Sequence, residues 1–207
     1  MKSKNSLLFI STATLFLSLI FTACTQNSRS QKKGKPADVV RNEEAGQIIK
    51  VQVETDTLKG SLKAEAQGSI GSATVKIRYY SPAVRGRVVW GELVPYDQVW
   101  VTGAHNATSL QSDKDLTIAG KKIPAGKYAL FTIPGKNEWV IIINKNWQQH
   151  LADNYSEKED MFRIKIKPGI HTENQERLRY EVVSDAGSTG QIVMTWGKLK
   201  LAIPVKH

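Results

Sequence analysis

The sequence predicts an all-β protein, built as a single β-sandwich or partly closed barrel-like domain. Short runs with alternating apolar and polar residues recur from Ile48 to the C-terminus. These runs are rich in β-branched and aromatic residues, which favour strands. Glycine and proline separate them at short intervals, as turns between strands require. Many short strands at such spacing are typical of a sandwich or barrel.

The alternation is clearest at residues 73–80. One face carries Val75, Ile77 and Tyr79, and the other carries Lys76, Arg78 and Tyr80. In chain order, the predicted strands span 48–55, 73–80, 87–90, 99–102, 107–112, 116–118, 127–133, 138–144, 162–167, 177–184, 191–196 and 199–205. Each ends near a glycine, a proline or a polar stretch, so short connections are expected throughout.

Three connections have distinct signatures. Residues 134–137, Pro-Gly-Lys-Asn, predict a hairpin turn between two apolar runs. Residues 147–160 are polar and predict an exposed helical or irregular connection. Residues 120–127 superficially resemble a phosphate loop, but five residues rather than four separate the glycines, and Tyr128 stands where Ser or Thr would meet magnesium. This last segment therefore predicts a turn.

The N-terminus has the order of a bacterial lipoprotein signal. Lys2 and Lys4 precede an apolar run at 7–21, and residues 21–24 fit a lipobox that ends at Cys24, the chain's single cysteine. We therefore expect a signal peptide at 1–23, an acylated Cys24 that inserts in membrane lipid, a disordered basic tether at 24–46 and one domain at 47–207. Residues 25–29 lack an acidic cluster, which favours the periplasmic side.

The charge is basic in every part of the chain. Loss of Lys2 and Lys4 lowers the formal charge from +10 to +8, and residues 47–207 carry 22 Lys and Arg against 16 Asp and Glu, or +6. An exported protein meets anionic lipid, cell-wall polymer or acidic glycan rather than nucleic acid. Nucleic acid is therefore excluded as a partner. With Cys24 acylated no thiol remains, which excludes disulfides and thiolate chemistry.

Four ordered motifs connect the chain to a known family. They are YSPAVRGR at 80–87, WGELVPY at 90–96, VWVTGAHNAT at 99–108 and IPAGKYALFTIPG at 123–135. From about residue 66 to the C-terminus the chain resembles the bacterial family called domain of unknown function 2911. The resemblance implies a secreted or lipid-anchored β-sandwich of Bacteroidetes-like bacteria, and it implies no known activity.

Two motifs depart from the pattern of that family. Its members usually carry Arg after the central Trp and Asn-Glu after Gly-Ala, where this chain has Val101 and His105-Asn106. A site that depended on that Arg and Glu would be lost or changed here. Neither role is carried over to this chain.

The densest polar and aromatic cluster predicts a candidate ligand site. Arginine offers a planar fork for carboxylate, phosphate or sulfate, and tryptophan offers a stacking face for a sugar ring. The alternative is structural, with the arginines paired to Glu92 or Asp97 and the tryptophan in the core. The candidate residues are Arg85, Arg87, Trp100, Thr102, His105, Asn106 and Thr108.

Other motifs are weaker. No two histidines stand at the spacing that strands or helices use for a metal, so neither a metal nor a cofactor is expected. Asp56-Thr57-Leu58 fits a short O-glycosylation pattern of Bacteroidetes-like bacteria, which makes Thr57 a candidate glycosylation site. The remaining tryptophans are expected in the core or at an interface; they are Trp90, Trp139, Trp147 and Trp196.

These features predict a non-enzymatic envelope lipoprotein. Its β-sandwich would bind a glycan, an anionic envelope component or a protein partner. The alternative is an envelope hydrolase or other enzyme with a site near Arg85, His105 and Asn106. Convergence of these side chains with a carboxylate in one concave pocket would favour the enzyme.

Overall fold

A computed structural model describes the backbone of residues 41–42 and 47–50 and the whole of residues 56–207. Cys24, the predicted signal peptide and most of the predicted tether lie outside the described residues. Within the described part of the chain, no helix has the length and apolar character needed to cross a membrane.

Twelve strands and one short 3-10 helix, Glu157–Glu159, form the described structure. The strands are β1 Arg41–Asn42, β2 Gln47–Lys50, β3 Leu62–Ile70, β4 Ala73–Ser81, β5 Ser109–Ser112, β6 Leu116–Ile118, β7 Lys121–Ile123, β8 Gly126–Ile133, β9 Trp139–Asn144, β10 Asp160–Ile166, β11 Gly169–Ser184 and β12 Thr189–Lys206.

The strands form two antiparallel sheets. The larger has the order β1-β2-β3-β4-β5-β8-β9-β10, and the smaller has the order β11-β12-β6-β7. The predicted all-β class and the β-sandwich are confirmed. The sheet includes β1, which pairs with β2 and lies before residue 47, in the segment predicted as tether.

The main core lies between the inward faces of the two sheets, where alternate strand positions are fully buried. The larger sheet contributes Ile77, Leu110 and Ile141, and the smaller contributes Tyr180 and Met194, among others. The alternation read from 73–80 is confirmed, because Val75, Ile77 and Tyr79 are buried while Lys76 and Tyr80 are half-buried and Arg78 is exposed.

Two predicted strands are wrong, and three strands were missed. Residues 87–90 and 99–102 form turns and isolated bridges, such as Trp100 with Thr132. The missed strands are β1, β3 and β7. The buried positions of β3 are Ala66, Gly68 and Ile70, so only the last of them carries a large β-branched side chain of the kind by which strands are recognised.

Packing explains the small residues of β3. A Cβ at Gly68 would lie 2.9 Å from the carbonyl oxygen of Val182 in β11. The two sheets therefore approach closely at this point, and glycine permits the approach. Larger residues would have given a clearer strand pattern, but they would separate the sheets.

β12 was predicted as two strands but runs through Gly197, whose φ is +60°. The register of β11 against β12 shifts beside the pair of Gln175 with Gly197. Gly197 therefore occupies an irregularity inside one strand rather than a turn between two.

The connection after β9 folds over the outer face of the larger sheet, and it is irregular as predicted. Trp147 and Tyr155 pack there on a second apolar cluster of Val101, Ala107, Ala129, Phe131 and Ile142. This small cluster fixes the connection beside β3, β4 and β5, where it becomes the wall of a groove.

A buried polar network holds the far end of the same connection. The Asp160 carboxylate accepts hydrogen bonds from Asn144 at 2.8 Å, Tyr155 at 2.7 Å and Arg163 at 2.8 Å. Burial and the hydrogen bond to Asp160 raise the pKa of Tyr155 to about 12, so Tyr155 stays a neutral donor. The network gives the connection a defined conformation.

Candidate functional site

A groove of about 710 Å³ lies on the outer face of the larger sheet. We call it the basic groove. Its floor comes from β3, β4, the start of β5 and β8, and its wall comes from the connection after β9. The lining residues are Lys63, Ala64, Glu65, Arg78, Tyr79, Tyr80, Asn106, Ala107, Ser109, Lys127, Trp147, Gln148, Gln149 and His150.

Strand register explains why these side chains meet. Lys63 pairs with Tyr80, Glu65 with Arg78, and Arg78 in turn with Ser109. Directly opposed residues on antiparallel strands project from the same face of a sheet. Ser109, which pairs with Arg78, has a small side chain and leaves space above the floor of the groove.

The carboxylate of Glu65 is already paired. It accepts a hydrogen bond from Arg78 Nε at 2.7 Å and lies 3.6 Å from Lys76 Nζ. Burial would raise the pKa of Glu65, but the hydrogen bond from Arg78 and the charge of Lys76 lower it overall. Glu65 therefore stays ionised and neutralises part of the charge of Arg78.

Lys127 and Lys63 supply the groove's uncompensated positive charge. Lys127 Nζ lies 3.5 Å from the centroid of the Trp147 ring, and Lys63 Nζ lies 5.9 Å from that of Tyr80. Within residues 56–207 neither ammonium has a carboxylate within ion-pair distance. Burial and the nearby charge of Arg78 lower the pKa of Lys127, so an anion placed beside it would relieve the repulsion.

Amide groups line the wall. Gln149 is only 5% exposed, and its Nε2 donates to the carbonyl oxygen of Asn146 at 2.6 Å. Its Oε1 has no hydrogen-bond partner among the described residues. A buried acceptor without a donor costs free energy. The amides of Asn106 and Gln148, which also line the groove, are exposed.

Backbone hydrogen bonds position this wall. Leu151 N donates to His105 O at 2.7 Å, and Ala107 N donates to Gln149 O at 2.9 Å. Asn106 and His150 form an isolated antiparallel bridge between these two bonds. The segment around Asn106 and the segment around His150 are thus held as a short ladder.

Two of the sequence-predicted site residues are fully buried. Thr102 and Thr108 are both 0% exposed. The Thr108 hydroxyl donates to Thr102 O at 3.0 Å, and the Thr102 hydroxyl lies 3.2 Å from that of Thr132. Tyr180 OH also donates to Thr102 O at 3.0 Å. Their polar groups are therefore satisfied inside the protein.

Trp100 belongs to a cluster of four tryptophans at the edge of the core. Its ring stacks on Trp196, with ring centroids 6.0 Å apart, and meets Trp90 and Trp139 edge to face. Its Nε1 donates to Gly103 O at 3.0 Å. Trp139 and Trp196 are core residues, as expected, whereas Trp147 is half-buried in the groove wall.

The two arginines of the predicted cluster, Arg85 and Arg87, lie outside the basic groove. The side chain of Arg87 donates to the carbonyl oxygens of Val84 and Ala83, at 3.1 and 2.6 Å. The backbone N–H of Arg85 donates to the Glu176 carboxylate at 2.7 Å. Neither arginine lines the basic groove, so the predicted cluster does not converge as one site.

His105 and Asn106 lie at the basic groove. Asn106 lines it, while His105 is exposed beside it with its ring edge to face with Tyr80, at a centroid distance of 5.0 Å. None of the other groove residues was predicted as a site residue from the sequence. The outward position of Arg78 and Tyr80 in the alternation of 73–80 was the signal that could have found part of it.

Two further predicted positions have simple placements. Thr57 is exposed, and its neighbour Asp56 pairs with Arg177. Cys24 lies outside the described residues. Across those residues, no group of three or more His, Cys, Asp or Glu side chains is arranged to hold a metal ion.

Comparison with known proteins gives one match. The sequence profile of a family described as "Protein of unknown function (DUF2911)" matches residues 61–205. No curated protein and no solved structure matches the chain.

Proposed function

This chain belongs to the DUF2911 family of unknown function, and from that premise we propose that it is a ligand-binding module of the bacterial envelope. The basic groove is its binding site, and the ligand is an elongated anionic component of the envelope. Cys24, once acylated, holds the module at the membrane, with the domain in the periplasm.

The shape and charge of the groove carry this proposal. A volume of about 710 Å³ falls in the range of ligand pockets, roughly 300–1,000 Å³. Lys63 and Lys127 offer positive charge, and Tyr80 and Trp147 offer aromatic surface. Cations beside aromatic rings favour ligands that combine negative charge with an apolar face.

The sequence supports the lipoprotein part. The basic n-region, the short apolar run and the lipobox precede the chain's single cysteine. The domain that follows is basic, and anionic polymers and lipids are the partners that such a charge attracts in the envelope.

The alternative, an enzyme with a site near Arg85, His105 and Asn106, has less support. Its residues do not share one pocket, since Arg85 lies outside the basic groove. The carboxylate in the groove, Glu65, is held by Arg78 and Lys76, which makes it a poor general base. The residues of the basic groove therefore support ligand binding better than they support catalysis.

Binding to a charged and a neutral polymer of the same backbone tests the proposal. The full chain in detergent should bind dextran sulfate and not dextran, as measured by isothermal titration calorimetry. Replacing both Lys63→Gln and Lys127→Gln should weaken binding at least about tenfold, because charge-assisted contacts contribute about 1.5–3 kcal/mol each.

The matched control removes two charges from other exposed positions, Lys136→Gln with Lys158→Gln. This pair should leave the affinity within about twofold, which corresponds to less than about 0.5 kcal/mol. Equal losses in the two double variants would mean that total charge, and not the groove, attracts the polymer, and the proposal would then be abandoned.

Lipid attachment has its own test. The native protein should show an acylated N-terminal Cys24 by mass spectrometry and should stay in the membrane fraction. A Cys24→Ser protein should keep its signal peptide unprocessed and carry no acyl mass. If the native protein instead began at another residue without lipid, the anchor would be refuted while the groove remained.

A further inference from the structure

The basic groove offers more than positive charge, and its chemistry narrows the ligand. This inference rests on the proposed binding function. Three properties of the groove bear on the ligand: the positions of its cations, the acceptors in its wall, and the aromatic ring in its floor.

Lys63 and Lys127, the two cations of the groove without a paired carboxylate among the described residues, are separated along the direction of the strands. Lys63 pairs in register with Tyr80, while Lys127 pairs with Gln111, which pairs with Lys76. Tyr80 and Lys76 are four residues apart on one strand, which is roughly 13 Å at about 3.3 Å per residue. A ligand that meets both lysines therefore carries negative groups at separated points along its length. One negative group for each lysine suits this separation of the backbone positions better than a single phosphate or sulfate.

The groove also presents exposed amide groups. Asn106 and Gln148 are exposed and line the groove, and each of these amides carries a donor as well as an acceptor oxygen that an anion cannot satisfy. Phosphate diesters and polyphosphates offer acceptors and hardly any donors. Hydroxyl groups both donate and accept, so a ligand rich in hydroxyls would complement this wall.

The floor presents an aromatic ring. Tyr80 is half-buried, projects from the outer face of β4 and packs edge to face with the His105 ring. Phenol rings bind the apolar face of a planar or ring-shaped ligand. Linear chains of phosphate have no such face.

We infer that the basic groove binds an acidic polysaccharide, in which at least two uronic acid units place their carboxylates near Lys63 and Lys127 while a sugar ring packs on Tyr80. The hydroxyl groups of the same sugars face the exposed amides of Asn106 and Gln148. The inference concerns binding only, and no bond of the sugar chain is formed or broken.

Three probes separate the contributions of charge, ring and hydroxyl groups. The full chain in detergent is titrated with tetragalacturonate, with its methyl ester, and with polyphosphate of similar charge. The ester keeps rings and hydroxyls but lacks charge, and polyphosphate keeps charge alone. We expect tetragalacturonate to bind at least about tenfold more tightly than either, because only it engages both lysines and the ring.

Variants then connect each contribution to a residue. Lys127→Gln should weaken tetragalacturonate binding about tenfold, in line with the loss of one charge-assisted contact. Tyr80→Leu should weaken it by a similar factor and leave polyphosphate binding unchanged. Tyr80→Phe keeps the ring and should retain most of the affinity, which separates stacking from a loss of folding.

The outcomes distinguish this inference from the proposed function. If polyphosphate binds as tightly as the uronate, depends on Lys127 and ignores Tyr80→Leu, the acidic-sugar inference is overturned while the anionic groove stands. If no probe binds in a manner that depends on Lys127, both the inference and the proposed function fail.

Discussion

Thr102 has a left-handed backbone, with φ of 55°, although it is a β-branched residue that rarely adopts this conformation. Its surroundings explain how the conformation persists. The carbonyl oxygen accepts hydrogen bonds from Thr108 and Tyr180, and the hydroxyl meets that of Thr132. Burial raises the pKa of Tyr180 well above its ordinary value, so this donor keeps its proton. The polar groups of Thr102 therefore stabilise the fold through hydrogen bonds inside the protein.

We therefore expect Thr102→Ala to destabilise the protein by about 1–3 kcal/mol, because the buried hydroxyl of Thr132 would lose this partner. Urea unfolding followed by circular dichroism measures the change. His105→Ala, an exposed neighbour with a similar φ of 56°, is the control and should shift stability by no more than about 0.5 kcal/mol. Equal, small changes in the stability of both variants would mean that the Thr102 side chain does not stabilise this segment.

At the scale of elements, the contact between β3 and β11 brings the two sheets together. Gly68 faces Val182 across the core, and a Cβ there would lie 2.9 Å from Val182 O and 3.0 Å from its Cβ. Backbone atoms cannot move aside as a flexible side chain can, so the strands themselves would have to separate. The missing side chain at Gly68 is therefore part of the packing.

Gly68→Ala should destabilise the protein by about 1–3 kcal/mol through overpacking, as judged from the urea midpoint. The neighbouring exposed position gives a control, since Ser69→Ala adds nothing to the interface. Alanine has an entropic advantage over glycine within a strand. A more stable Gly68→Ala protein would show that the sheets have room at this point.

At the scale of the molecule, one ion pair joins the start of the domain to the smaller sheet. Arg177 in β11 donates to both carboxylate oxygens of Asp56, at 2.5 and 2.8 Å, and to the carbonyl oxygens of Gly60 and Ser81. The hydrogen bond from Arg177 lowers the pKa of Asp56 from its ordinary 3.8 to about 2. Asp56 is therefore ionised at neutral pH, as its ion pair with Arg177 requires.

This shift predicts a pH dependence. Because the pKa of Asp56 is lower in the folded chain, the pair stabilises the fold above about pH 4, and its contribution is lost as the pH falls toward 2. Asp56→Asn should therefore be less stable than wild type at pH 6 and equal to it near pH 2. The side chain is 37% exposed, so the difference at pH 6 should be modest.

Urea midpoints of both proteins across this range check the prediction. Asp185→Asn, in the exposed turn between β11 and β12, is the control and should follow the wild-type profile. A gap between Asp56→Asn and wild type that stayed constant down to pH 2 would contradict the assigned role of the ion pair.

Local patterns in the sequence predicted most of the strands and the fold class. Alternation at 73–80 gave β4, and the turn at 134–137 joined β8 to β9 as expected. The same patterns could not reveal β3, because Gly68 occupies one of its inward positions, where the strand closely contacts Val182, more than 100 residues away in the sequence. Where packing against a distant element decides the residue, local propensity gives little signal.

By itself, the sequence determined an all-β domain, family membership and the outward position of Arg78 and Tyr80. Only the tertiary structure decided that Thr102 and Thr108 are buried, that Arg85 lies apart, and that Lys63, Lys127 and Gln149 share one groove. The physical reason is that side-chain period fixes which face of a strand a residue occupies, whereas convergence depends on which strands pair. Pairing across a sandwich is a long-range choice, made by the packing of the whole core.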